Sequence, residues 1–188
     1  MRLILASASP RRLELLARLD VMPDEVRPAE IDETPRRDEL PAIYASRMAA
    51  EKAAAVSAPG SLVLAADTVV AAGRRILPKT EDEAEARATL ALLSGRRHKV
   101  LSAVTLVDAE GRARHRLSTS IVAFKRLSDD ELAAYLASGE WRGKAGGYAI
   151  QGRAEALIRF LSGSHSGVMG LPLYETRGLL RAAGYPIG

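Results

Sequence analysis

Residues 99–127 constrain the fold most. They read KVLSAVTLVDAEGRARHRLSTSIVAFKRL. Two long runs rich in Val, Ile, Thr and Leu flank a turn at Asp108 to Gly111, which is the pattern of an antiparallel hairpin. Around this hairpin the chain alternates short apolar runs with helix-like segments. Alternation alone would predict a parallel sheet, and the hairpin turns that into a mixed one. The expected fold is therefore α/β, a mixed twisted sheet flanked by helices, and a chain of this length has room for two lobes around a central cleft. With 188 residues, one domain over 1–188 is expected.

The other elements follow from local pattern. RLILA, 2–6, reads as a buried strand. From Pro10 to Leu19 the apolar positions Leu13, Leu15, Leu16 and Leu19 suit one helical face, with Ser9 as N-cap and Pro10 at the first helical position. Residues 21–37 read as an extended strand plus loop. The Ala-rich segment 39–57 is a helix candidate. SLVLAADTVVA, 61–71, is strand-like, and GRRIL can return as its hairpin partner. Residues 81–93 are helical with acids at the N-terminal end. SGRRHK, 94–99, reads as a turn. SDDELAAYLASG is a short helix capped by Ser128 and stopped by Gly139. A Gly-rich loop spans 140–152, ALIRFLSG is a strand, and a last helix runs around Pro172 to Ala183.

Composition removes some chemistries. The chain has no cysteine, which excludes disulfides, thiolate metal sites and a Cys nucleophile. No run approaches the roughly 18 apolar residues of a membrane span. The start lacks the pattern of a secretory leader, so a cytoplasmic location is the expectation. A net charge of +4 suits an anionic partner. Clustered aromatics for base stacking are missing, which argues against nucleic acid.

Four segments carry candidate chemistry. In SASPRR, 7–12, a strand feeds a helix N-terminus. Free N–H groups there favour anions, Ser7 and Ser9 add hydroxyls, and Arg11 and Arg12 add planar cations suited to phosphate. The same letters would also serve as a capped helix with solvated arginines. Asp67 is the one charged residue in the apolar run 63–70, where a carboxylate is costly unless paired or bound to a cation. Asp32 and Glu33 form a second acidic pair. With Asp67 they could hold Mg²⁺ or Mn²⁺ through hard oxygen ligands. Lys52 and Lys79 are further phosphate candidates. Finally, GKAGGYAIQG, 143–152, has four glycines in ten residues, a charge at Lys144, and Gln151, whose amide suits a base edge. His98, His115 and His165 lack metal-ligand spacing.

Taken together, SASPRRLELL, EIDE, EKA, ADTVV, LPKTED, LSGRRHKV, GKAGGYAIQG and VMGLPL resemble, in order and along nearly the whole chain, the Maf family of nucleoside triphosphate pyrophosphatases. The resemblance implies hydrolysis of a nucleoside triphosphate to monophosphate and pyrophosphate with a divalent metal cation. It makes Asp67 the proton acceptor and links Arg11, Thr68 and Gln151 to substrate choice. It places Arg12, Lys52 and Lys79 around the phosphates and Asp32 or Glu33 near the metal. ADT with YAIQG resembles the branch acting on dTTP and UTP. A homodimer is the state the resemblance suggests. Two departures stand out: P-K-T replaces the usual G-K-P, and Gly167 replaces an Asn. The competing readings are a non-catalytic nucleotide- or nucleic-acid-binding regulator of septum formation, and a pyrophosphatase for 7-methyl-GTP or inosine triphosphate.

Overall fold

The computed structural model describes residues 1–56 and 58–188. Its centre is a seven-stranded mixed sheet. The strands are β1 (Leu3–Ala6), β2 (Glu25–Val26), β3 (Leu62–Ala72), β4 (Arg75–Leu77), β5 (Arg97–Val107), β6 (Ala113–Phe124) and β7 (Ile158–Ser162). The path across the sheet is β2-β1-β3-β5-β6-β7, with β4 paired to β3. β1 is parallel to β2 and β3, and every pairing from β3 onward is antiparallel.

Among the described residues six α-helices surround it: α1 (Pro10–Ala17), α2 (Pro41–Ala55), α3 (Glu83–Leu93), α4 (Asp129–Ala137), α5 (His165–Met169) and α6 (Leu173–Ala182). Period-two alternation in β3 divides the core. Leu62, Leu64, Ala66 and Val70 join the large cluster with Leu15, Leu90, Leu136 and Leu180, contributed by α1, α3, α4 and α6. Val63, Ala65, Val69 and Ala71 pack on the α2 face against Ala45, Met48 and Ala53. The small side chains of the Ala-rich α2 let it lie close to the strands. Asp82 accepts the Glu85 N–H at the start of α3, and Ser128 and Glu131 form a capping box at α4.

Three expectations need correction. The turn expected over 94–99 is shorter, because Arg97, His98 and Lys99 belong to β5. They alternate exposed, buried, exposed and pair with β6, so three consecutive basic residues still form a strand. The strand expected from Ala156 starts at Ile158, after a 3₁₀ turn over Arg153–Leu157. Helix α5 was not anticipated, since five residues are too few to show a period. Ser57, the last residue of the helix expected over 39–57, lies outside the described residues.

The sheet register creates the cleft. β1 ends with Ala6 opposite Ala65, and β4 meets the same strand only from Val70 onward. Residues 66–69 pair with β5 on their other edge. Among the described residues, then, no strand covers this edge of β3 at Asp67 and Thr68. The chain leaving β1 through Ser7 opens the gap. Ligands commonly bind at such a place, at the carboxyl end of a parallel strand.

Candidate active site

A cavity of about 450 Å³ occupies this gap. It is lined by Ser7, Ser9, Arg11 and Arg12, by Asp67, Thr68 and Val70 of β3, and by Lys144, Ala145, Tyr148, Ala149 and Gln151. Five cationic side chains (Arg11, Arg12, Lys52, Lys79 and Lys144) line it against two carboxylates, Glu33 and Asp67. That imbalance suits a polyanion.

Asp67 points to the α2 face of β3. There the Lys52 ammonium, buried on α2, donates to Asp67 Oδ1 at 2.7 Å and sits 2.7 Å from Glu33 Oε1. Lys79 Nζ approaches Glu33 Oε2 at 3.6 Å. Burial pushes the Glu33 carboxyl up, but Lys52 and Lys79 more than offset this and hold it below its ordinary value. The loop carrying Glu33 is fixed by α2: the Tyr44 hydroxyl donates to the Glu33 carbonyl at 2.7 Å, and Arg47 donates to the Thr34 carbonyl at 3.2 Å.

Arg12 is held on both sides. Its Nε donates to the Gly170 carbonyl at 3.0 Å and its Nη1 to Ser7 Oγ at 2.9 Å. Burial pulls its guanidinium below the ordinary value, opposed by the nearby Asp67 charge. Thr68 points to the other face of β3, with Oγ1 3.0 Å from Ser102 Oγ and donating to the same Gly170 carbonyl at 3.3 Å. Gly170 has φ +133°, a conformation that side chains resist. One carbonyl after α5 thus ties α1 to β3. Arg11 is half-buried, and its Nε is buried without a protein partner.

Ser9 takes the N-cap position of α1, but its hydroxyl makes no capping bond. Ser7 does more, accepting from the Ser9 N–H at 3.1 Å as well as from Arg12. Gln151 is exposed at the mouth.

The Gly-rich loop is firmly anchored. Gly146, at φ +70°, lies so close to β3 that a Cβ would meet Val70 Cγ1 at 2.8 Å. The Tyr148 hydroxyl is 2.8 Å from buried His98 Nε2, and its ring packs edge-on against Phe124.

One predicted residue leaves the site. Asp32 is exposed, does not line the cavity, and accepts the Thr34 N–H at 2.9 Å. Its short carboxylate closes a local Asx turn, while Glu33 reaches the cleft. Among the described residues no group of three or more His, Cys, Asp or Glu collects as a metal site. Two carboxylates still fit Mg²⁺, which commonly keeps waters and takes its remaining ligands from substrate phosphates. Sequence reasoning missed the Gly170 carbonyl and Ser102. The motif VMGLPL marked the first, but a backbone acceptor leaves no chemical signature in a sequence.

The gap in the sheet, its basic lining and its paired carboxylates define an α/β protein with a cleft whose charge suits a polyanion. The chain belongs to the Maf family: the family model described as "Maf-like protein" matches residues 2–183. It is 64% identical over 187 residues to the dTTP/UTP pyrophosphatase of Novosphingobium aromaticivorans, covering 98% of this chain and 93% of that one. The dTTP/UTP pyrophosphatase of Zymomonas mobilis subsp. mobilis is also 64% identical, with the same coverage. That of Rhodospirillum rubrum is 60% identical over 188 residues, covering 99% of this chain and 90% of the relative.

Proposed function

We propose that this protein hydrolyses dTTP and UTP to the nucleoside monophosphate and pyrophosphate. The observation carrying this reading is the Asp67 carboxylate, which lines the same cleft as Arg11, Arg12 and Gln151 and is already paired with Lys52. Near-full-length relatives named for this activity support it.

The chemistry follows from the geometry. Arg12, fixed by Gly170 and Ser7, presents its remaining N–H donors to phosphate oxygens, aided by Arg11 and the N-terminus of α1. Lys52 engages one oxygen of Asp67. The other oxygen is available to accept a proton from water attacking the phosphorus. Lys79 and Lys144 offset the charge that builds on the departing pyrophosphate. Gln151 and the backbone of 145–150 read the base, since the amide both donates and accepts. Asp67 and Glu33 would hold a divalent Mg²⁺ or Mn²⁺ brought with the nucleotide; when bound, it neutralises phosphate charge and polarises water.

The test is pyrophosphate release, with Mg²⁺ or Mn²⁺, from dTTP, UTP, CTP, 7-methyl-GTP and inosine triphosphate. Fastest turnover on dTTP and UTP is expected, and Asp67→Asn should fold yet lose about 10³-fold in kcat. A folded protein releasing pyrophosphate from none of these would overturn the reading.

A further inference from the structure

Thr80 follows Lys79 directly, yet its own side chain is buried, 1% exposed. The proposed chemistry leaves it without a role. Its bonds all run to the 141–144 segment, which leads into the loop proposed to read the base. Oγ1 donates to the Trp141 carbonyl at 2.9 Å, its N–H donates to the Lys144 carbonyl at 3.3 Å, and its carbonyl accepts from the Gly143 N–H at 2.9 Å. On the other side of Lys79, the Pro78 carbonyl accepts from the Gly146 N–H at 3.2 Å. Lys79 itself forms an antiparallel bridge with Ala145, and Thr80 a parallel one with Arg142. The residues on both sides of Lys79 are therefore laced to 141–146, and that segment runs straight into Tyr148 and Gln151.

The far end of the same loop is also fixed. Tyr148 meets His98, and the Ala149 N–H donates to the Tyr135 hydroxyl at 3.2 Å. Lys79, by contrast, is an exposed side chain whose one ion pair among the described residues, to Glu33, is long. That long contact holds its ammonium only loosely. The main chain beneath it sets its position more firmly, and Thr80 supplies the only side-chain bond in that anchorage among the described residues.

We propose that Thr80 is a positioning residue that couples recognition of the base to placement of the Lys79 ammonium at the phosphates. Because the loop and Lys79 share one rigid frame, a base that fits the 145–151 loop is thereby registered against the Lys79 ammonium. Discrimination between nucleotides is then expressed in turnover as well as in binding, because only interactions stronger in the transition state raise kcat. This inference rests on the proposed activity.

The test is a double-mutant cycle of T80V, K79A and T80V/K79A, with T80S as the conservative variant, assayed by pyrophosphate release from UTP and CTP. T80V keeps the shape and removes the donor to Trp141. It should lower kcat on UTP by roughly tenfold, the size of one hydrogen bond's effect. KM on UTP should change less than kcat, the UTP-to-CTP ratio of kcat should narrow, and T80S should recover most of the loss. Because Thr80 acts through Lys79, the double variant should be no slower than K79A. Losses that multiply in the double variant would overturn the inference, as would an equal fall in kcat on both nucleotides. Thr80→Ala carries the same cycle where T80V does not fold. A wild-type protein inert toward dTTP and UTP would sink the activity reading and the inference together; an active one with multiplicative losses sinks the inference alone.

Discussion

The Lys52 ammonium lies 2.7 Å from Asp67 Oδ1, reaching from α2 to the uncovered edge of β3. The same nitrogen touches Glu33 at 2.7 Å, so one buried cation keeps two carboxylates together. Lys52→Ala would leave these acids facing each other. The cleft is open and Glu33 is exposed, so solvent screens part of the cost, and a loss of about 2 kcal/mol in stability is expected. Pyrophosphate release should fall by about 10²-fold or more, since the partner that orients the Asp67 carboxylate is lost as well. Urea unfolding and turnover check both. Adding Glu33→Gln to Lys52→Ala should regain stability without regaining turnover.

Arg12 is held by two bonds, one to the Gly170 carbonyl and one to Ser7 Oγ. Lysine has a single charged nitrogen and cannot span both while facing the cleft. Arg12→Lys should therefore lower kcat/KM by about 10²-fold on every nucleotide alike. Steady-state kinetics on UTP and CTP would show this; a loss confined to one base would contradict a role at the phosphates.

Gly146→Ala brings two separate penalties. The new Cβ would sit 2.8 Å from Val70 Cγ1, and the backbone is at φ +70°. Together they should cost about 2–3 kcal/mol and displace the loop that carries Gln151. Val70→Ala in the same chain removes the contacts with both Cγ atoms but leaves the tight 3.0 Å approach to Cβ and the backbone strain. Melting temperature and kcat/KM on UTP should therefore recover in part in the double variant, and full recovery would show that φ is not restricted there.

Much of this was legible before folding, and the residues show why. A lone carboxylate in an apolar strand cannot be cheaply buried, so Asp67 announced itself. The hairpin of β5 and β6 was plain because both strands are long. Lys52 gave no such signal of its own. In an Ala-rich helix a lysine looks like surface, and only the packing of α2 on β3 buries it. Asp32 and Glu33 are chemically interchangeable neighbours, and the choice between them depends on the Asx turn at Thr34. Basic letters concealed the start of β5, since Arg97 and Lys99 face solvent while His98 turns inward.

His98 yields the pH prediction. It is 3% exposed, and burial depresses its pKa from 6.5 to about 4. Nε2 meets the Tyr148 hydroxyl, while Nδ1 is buried without a partner, so no carboxylate is there to stabilise an imidazolium. Between those two pKa values the unfolded chain binds a proton that the folded protein refuses. Stability must then rise with pH across this window and fall as the medium is acidified from 6.5 toward about 4. Near the middle of the window the slope from this residue approaches about 1.4 kcal/mol per pH unit. His98→Asn removes the titration while keeping a polar partner for Tyr148. Its urea-unfolding free energy should therefore depend less steeply on pH than that of the wild type between pH 6.5 and about 4, with parallel curves above. Equal slopes for the two proteins would mean that His98 takes up its proton without leaving the fold.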